Sequence, residues 1–82
     1  MGDELCIKKE NLVNRATGLL AEVSKKIDNE NINHYENNNK LVQLENELCM
    51  FEREIYQVET EEDFKLMSDK FDKYIAIYKN FN

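Results

Sequence analysis

The sequence predicts an all-α domain, an antiparallel helical hairpin followed by a C-terminal helix, and three observations carry that prediction. The chain has no Pro and only 2 Gly in 82 residues, so nothing inside its long segments breaks a helix. Its apolar residues recur at steps of three and four, the helical repeat. Five acid-before-base pairs stand at i,i+4, in the order that suits the helix dipole: Glu4/Lys8, Glu22/Lys26, Glu36/Lys40, Glu61/Lys65 and Asp69/Lys73. Each contributes only a few tenths of a kcal/mol, but five in one orientation are hard to reconcile with strands.

The first segment, roughly Asp3 to Ile27, sets Leu12, Val13, Ala16, Leu19, Leu20, Val23 and Ile27 on one stripe, with Arg15, Glu22, Lys25 and Lys26 off it. That is a core-facing amphipathic helix. Gly18 inside it costs up to about 1 kcal/mol relative to Ala and marks either a close helix crossing or a tolerated surface position. Residues 28–39 then hold six Asn in twelve positions. Asn competes with the helical backbone and accepts left-handed conformations, which places the turn near Asn29–Asn33, with Asn31 or Asn33 capping the next helix and Asn37–Asn39 in its first turns.

In the second segment Leu41, Leu44, Leu48, Phe51, Ile55 and Val58 follow at steps of 3, 4, 3, 4 and 3, a heptad seam. Val42, Cys49 and Tyr56 widen it along one flank, which suits packing against two neighbours, with Cys49 as a small core hydrophobe. Glu45, Glu47, Glu52, Glu54 and Glu59 form an acidic outer surface. Thr60, with Asp63 three residues on, proposes a capped helix start. Behind it Phe64, Met67, Phe71, Tyr74, Tyr78 and Phe81 repeat the same spacing, in a register turned by about 200° from the second seam. Two architectures fit. A bend near Thr60 gives a three-helix bundle, with helices over about 3–28, 34–59 and 61–80 of one domain, 1–82. A single long helix from about Asn33 to Asn80 gives a hairpin that dimerises.

Composition bounds the function. A chain of 82 residues buries only about 60–65% of its unfolded surface and supports at most a few kcal/mol of net stability, so help from a partner or a second copy is plausible. Its 11 basic and 17 acidic side chains give a net charge of −6, of which −5 falls in residues 29–60, and this opposes a phosphate backbone. No direct nucleic-acid binding is expected. No stretch approaches the roughly 18 apolar residues that cross a bilayer, and the acidic N-terminus lacks an export pattern. Gly2 is followed by two acids, with Cys6 where a myristoylation motif wants Ser or Thr. Two unpaired cysteines fit a reducing, cytoplasmic setting.

One His and two distant Cys do not make a zinc site, and no Gly-rich phosphate loop or calcium loop is present, so no metal and no cofactor are expected. His34 reads as an exposed residue near a helix start, about 40 Å along the first helix from Cys6, which leaves that thiol without a base. A fold-back at residue 31 sets Cys49 opposite Val13 and too far from Cys6 for a disulfide. No catalytic residue is proposed. The expected role is that of a non-enzymatic protein–protein interaction module, a small chaperone, adaptor or assembly factor covering an apolar helix of a partner or of another copy. The third segment holds five of the eight aromatics, and aromatic anchors are overused at interfaces. The candidate partner-binding residues are Phe64, Met67, Phe71, Tyr74, Tyr78 and Phe81 with Leu44, Leu48, Phe51 and Ile55.

In size and hairpin pattern, with Tyr35 entering a heptad helix that runs through Tyr56, the chain is similar to small acidic helical co-chaperones such as those that accompany needle subunits in bacterial type III secretion. The third segment departs from a plain hairpin. The alternative is an acidic inhibitor or antitoxin that blocks a basic, nucleic-acid-binding site through its Glu-rich face. Reversing Glu45, Glu52 and Glu59 to Lys separates the two, abolishing decoy binding and sparing groove binding. A catalytic role requires a concave pocket lined by two carboxylates.

Overall fold

A computed structural model describes the backbone of residues 2–81 and the side chains of residues 4–81; Met1 and Asn82, included in the expected domain, lie outside the described residues. The chain is all-α, a three-helix bundle of α1 (Gly2–Asn29), α2 (Lys40–Tyr56) and α3 (Glu61–Lys79). At 1.5 Å per residue α1 is about 42 Å long and α2 about 26 Å, and the molecule is correspondingly a rod of 46 × 18 × 18 Å. Its radius of gyration, 13.7 Å, exceeds the roughly 12 Å of a spherical domain of this length.

The core follows the apolar spacing. Leu12, Ala16, Leu19, Val23 and Ile27 of α1 meet Leu41, Val42, Leu44, Leu48, Phe51 and Ile55 of α2, all buried, and α3 closes the bundle with Phe71 and Tyr74. The Phe51 ring joins the layers, stacked on Phe71 at 5.9 Å between centroids and met edge-on by Tyr74 at 5.3 Å.

The chain breaks between α2 and α3 without Gly or Pro, because side chains from elsewhere satisfy the freed backbone. The α2 helix ends in a tightened turn in which Gln57 N–H donates to the Glu54 carbonyl and Val58 N–H to the Ile55 carbonyl. The Lys9 ammonium, reaching across from α1, donates to the carbonyls of Tyr56 at 3.1 Å and Val58 at 2.7 Å. Thr60, extended at φ −126° and ψ 157°, then caps α3 by accepting from Asp63 N–H at 3.1 Å. A continuous helix from Asn33 to Asn80 is therefore ruled out.

The first connection corrects the expected boundaries. The α1 helix closes on Asn31 in the left-handed conformation (φ 57°), with Ile32 N–H bonded to Ile27 O and Asn31 N–H to Asp28 O, a Schellman motif in which Asn replaces the usual Gly. The next helix starts at Lys40, six residues later than the expected 34. Its cap is Asn39, not Asn31 or Asn33: the Asn39 carboxamide oxygen accepts from Leu41 N–H at 2.8 Å and Val42 N–H at 3.4 Å. Asn33 makes a local turn instead, accepting from Tyr35 N–H. Tyr35 accordingly lies in the linker, 89% exposed, and does not enter the helix. Asn39→Ala is expected to lower stability by about 1 kcal/mol in urea denaturation, and an unchanged midpoint would contradict the assigned cap.

Ser24 pairs with Glu45 and Thr17 with Glu52, so α1 and α2 run antiparallel about a midpoint near residues 34 and 35 rather than 31. Cys49 is therefore level with Leu20, not Val13. It stands in one helical row with Glu45 and Glu52, along the rim of the α1–α2 contact, and is exposed rather than a core residue; Tyr56, on the same row, is 67% exposed. Both Cys6 and Cys49 are free. None of the five i,i+4 pairs closes as an ion pair among the described residues: Lys8 takes Glu61 of α3 at 3.0 Å, and Lys26 takes Glu30 at 3.3 Å. Pairs worth tenths of a kcal/mol yield readily to such alternatives.

Candidate functional site

With α1 and α3 running side by side, the bundle surface carries a shallow furrow between them. Leu19 and Phe71 form its buried floor, half-buried Ile75 and Tyr78 form the α3 wall, and Arg15, Glu22 and Lys79 stand at the rim. Arg15 lies over the Phe71 ring, 5.1 Å from its centroid. The depression continues past Glu22 and Tyr78 to Lys25 and the Lys26–Glu30 pair, and in the other direction to Leu12 and Phe64.

Gly18 lines this furrow, and a Cβ placed on it would have no neighbour within 4 Å. The close crossing it could have marked does not exist; the glycine opens space over the furrow instead. Because the helix gains nothing from Gly there, Gly18→Ala is expected to raise stability by about 0.5–1 kcal/mol, seen as a higher melting temperature; a lower one would show a contact the space does not reveal.

The second polar constellation is a clamp between the two halves of the hairpin. His34, in the linker, sits between carboxylates: Nε2 is 2.6 Å from Asp28 at the end of α1, and Nδ1 is 3.1 Å from both oxygens of Glu45 on α2. Glu45 also accepts from the Ser24 hydroxyl of α1. His34 is thus a half-buried tether and not the exposed residue near a helix start that the sequence suggested. Both ring nitrogens donate together only in the imidazolium, and the hydrogen bonds to Asp28 and then Glu45 raise the pKa above its ordinary 6.5, partial desolvation opposing them.

A raised folded-state pKa fixes the sign. The clamp's contribution is complete below pH 6.5 and is lost as pH climbs through the raised value. The melting-temperature advantage of the wild type over His34→Gln is expected to be constant below pH 6.5 and to shrink as pH rises from there through the raised value. An advantage that stays flat or grows above pH 6.5 would contradict the clamp.

No family model matches the chain, and no curated protein or solved structure matches it either.

Of the ten expected partner-binding residues, Leu44, Leu48, Phe51, Ile55, Phe71 and Tyr74 are buried inside the chain's own core. Phe64, Met67, Tyr78 and Phe81 pack against that core and stay partly open. Only Phe64, Phe71 and Tyr78 of the ten reach the furrow. The spacing missed its other members, Arg15, Leu19, Ile75 and Lys79, because the furrow exists only where two helices meet; Gly18 was the one signal in the text. The acidic surface of α2 is also partly engaged, Glu45 with Ser24 and His34, Glu52 with Thr17 at 2.7 Å, and Glu54 with Lys70 at 3.2 Å. Among the described residues no group of three or more His, Cys, Asp or Glu is placed to hold a metal ion, and no helix is long and apolar enough to cross a membrane.

Proposed function

We propose that the chain is a non-enzymatic helical protein–protein interaction module, a small chaperone, adaptor or assembly factor, that receives an apolar helix of a partner in the furrow between α1 and α3. The observation that carries this reading is Gly18. A residue that lowers helix stability and whose added Cβ would meet nothing across the bundle within 4 Å, beside an apolar floor, suits the close approach of a second backbone. The geometry is helix-in-groove recognition, in which apolar anchors at three- and four-residue spacing fill a depression between two helices. The core seam of α2 holds the receiving surface rigid, so the ordering cost of docking falls on the partner alone. A cytoplasmic setting belongs to the same proposal, supported by two free cysteines, and a net charge of −6 disfavours nucleic acid as the partner.

The test is a furrow-filling variant. Gly18→Leu adds a side chain where the folded chain has space, so it should leave stability equal or higher while abolishing recovery of a partner in native-complex mass measurements. Recovery of the same complex by wild type and variant would defeat the proposal.

A further inference from the structure

We infer that the occupant of the α1/α3 furrow is an amphipathic helix of a different protein whose apolar stripe is flanked by carboxylates. This rests on the docking reading above and adds the chemistry of the partner.

Charge placement around the furrow selects the partner. Among the described residues Arg15, Lys25 and Lys79 make no salt bridge, and all three border the furrow, where Glu22 is the single carboxylate left without a cation. Lys26 and Glu30 neutralise each other. The rim therefore carries a net charge of +2 on a molecule whose total is −6. Such a reversal of sign around an apolar floor steers an acidic ligand toward it and repels a basic one.

Spacing narrows the partner further. Arg15 and Lys25 stand ten residues apart on one helix, about 15 Å, with Gly18, Leu19 and Phe71 between them. An occupant lying along the furrow places acids about three turns apart and large aliphatic residues between them.

A second copy does not supply that pattern. Among the described residues, the large apolar ones exposed on its helices are Ile7 on α1, Met50 and Tyr56 on α2, and Leu66 and Ile77 on α3. Met50 and Tyr56 point in different directions, and Lys70 and Lys73 interrupt the face that Leu66 shares with Ile77. No contiguous stripe results.

Three synthetic helical peptides of about 16 residues, sharing one Leu stripe and differing only in Glu, Gln or Lys flanks, provide the probe for the isotopically labelled full chain. The Glu-flanked peptide should shift the amide resonances of Gly18, Leu19, Ile75 and Tyr78 and bind at least about tenfold tighter than the Lys-flanked one. The gap should narrow between about 0.05 and 0.3 M salt. The double variant Lys25→Glu with Lys79→Glu, at two exposed positions that make no salt bridge among the described residues, should invert the ranking. Furrow shifts with equal or reversed ranking would overturn the acidic-partner inference and leave the docking reading intact. Absence of furrow shifts with every peptide would overturn both. Furrow shifts produced by concentrating the chain alone, with a dimer mass, would identify a second copy and overturn the inference.

Discussion

Replacing Phe51 by Ala is expected to leave the chain without a cooperative thermal transition. The ring is fully buried and is the aromatic contact between α2 and α3, stacked on Phe71 and met edge-on by Tyr74. Deleting a buried Phe costs about 3–5 kcal/mol, part of it from the cavity left behind and part from lost ring–ring attraction. A domain this small has at most a few kcal/mol in hand, so the loss is comparable with its whole stability. Circular dichroism on heating reads the result directly. Leu66→Ala, at an exposed position of α3, provides the matched control and should change stability by less than about 0.5 kcal/mol. A Phe51→Ala protein that melts within a few degrees of wild type would mean that the aromatic layer does not hold the third helix.

The second large effect is expected at Glu45. Its carboxylate is mostly buried and serves two donors at once, the Ser24 hydroxyl on α1 and His34 Nδ1 in the linker. Glu45→Ala leaves the part-buried Ser24 hydroxyl without its acceptor and His34 with Asp28 alone, and a buried group left without its partner costs about 1–3 kcal/mol. For a domain of this size that corresponds to a fall in melting temperature of roughly 10 °C. Glu45→Gln keeps an acceptor for Ser24 but no charge opposite His34, so it should recover part of the loss while flattening the pH dependence of stability. If alanine and glutamine were equally harmless, the hairpin would be held by its apolar seam alone.

The sequence made the apolar half of this architecture readable. The steps of three and four that name Leu41 through Ile55 as a seam, and Phe64 through Tyr78 as another, are a direct record of which residues face the core, because burial selects them one by one. Thr60 was readable for a similar reason: a cap is a local bond between a side chain and an amide three residues on. What the text did not carry was long-range. Six Asn between residues 28 and 39 offer several equivalent caps, and the choice of Asn39 goes with a linker tethered by His34 to Asp28 and Glu45, partners 6 and 11 residues away. Cys49 has the periodicity of a core residue but lies in the rim row of Glu45 and Glu52, since the third helix chose the other side of the seam, where Lys70 meets Glu54. The furrow belongs to the same class of facts. Arg15, Gly18 and Leu19 sit on one helix and Ile75, Tyr78 and Lys79 on another, and no single-helix pattern says that they will be neighbours.

The closure of α3 over α2 within a single chain both completes the burial of the α2 seam and creates the furrow beside α1. Nuclear Overhauser contacts in a mixture of isotope-labelled and unlabelled protein test it, because they separate contacts within a chain from contacts between chains. The prediction is that the rings of Phe51, Phe71 and Tyr74 contact one another within the chain. Ring contacts arising only between labelled and unlabelled molecules, with helix continuous through residues 57–60, would contradict it.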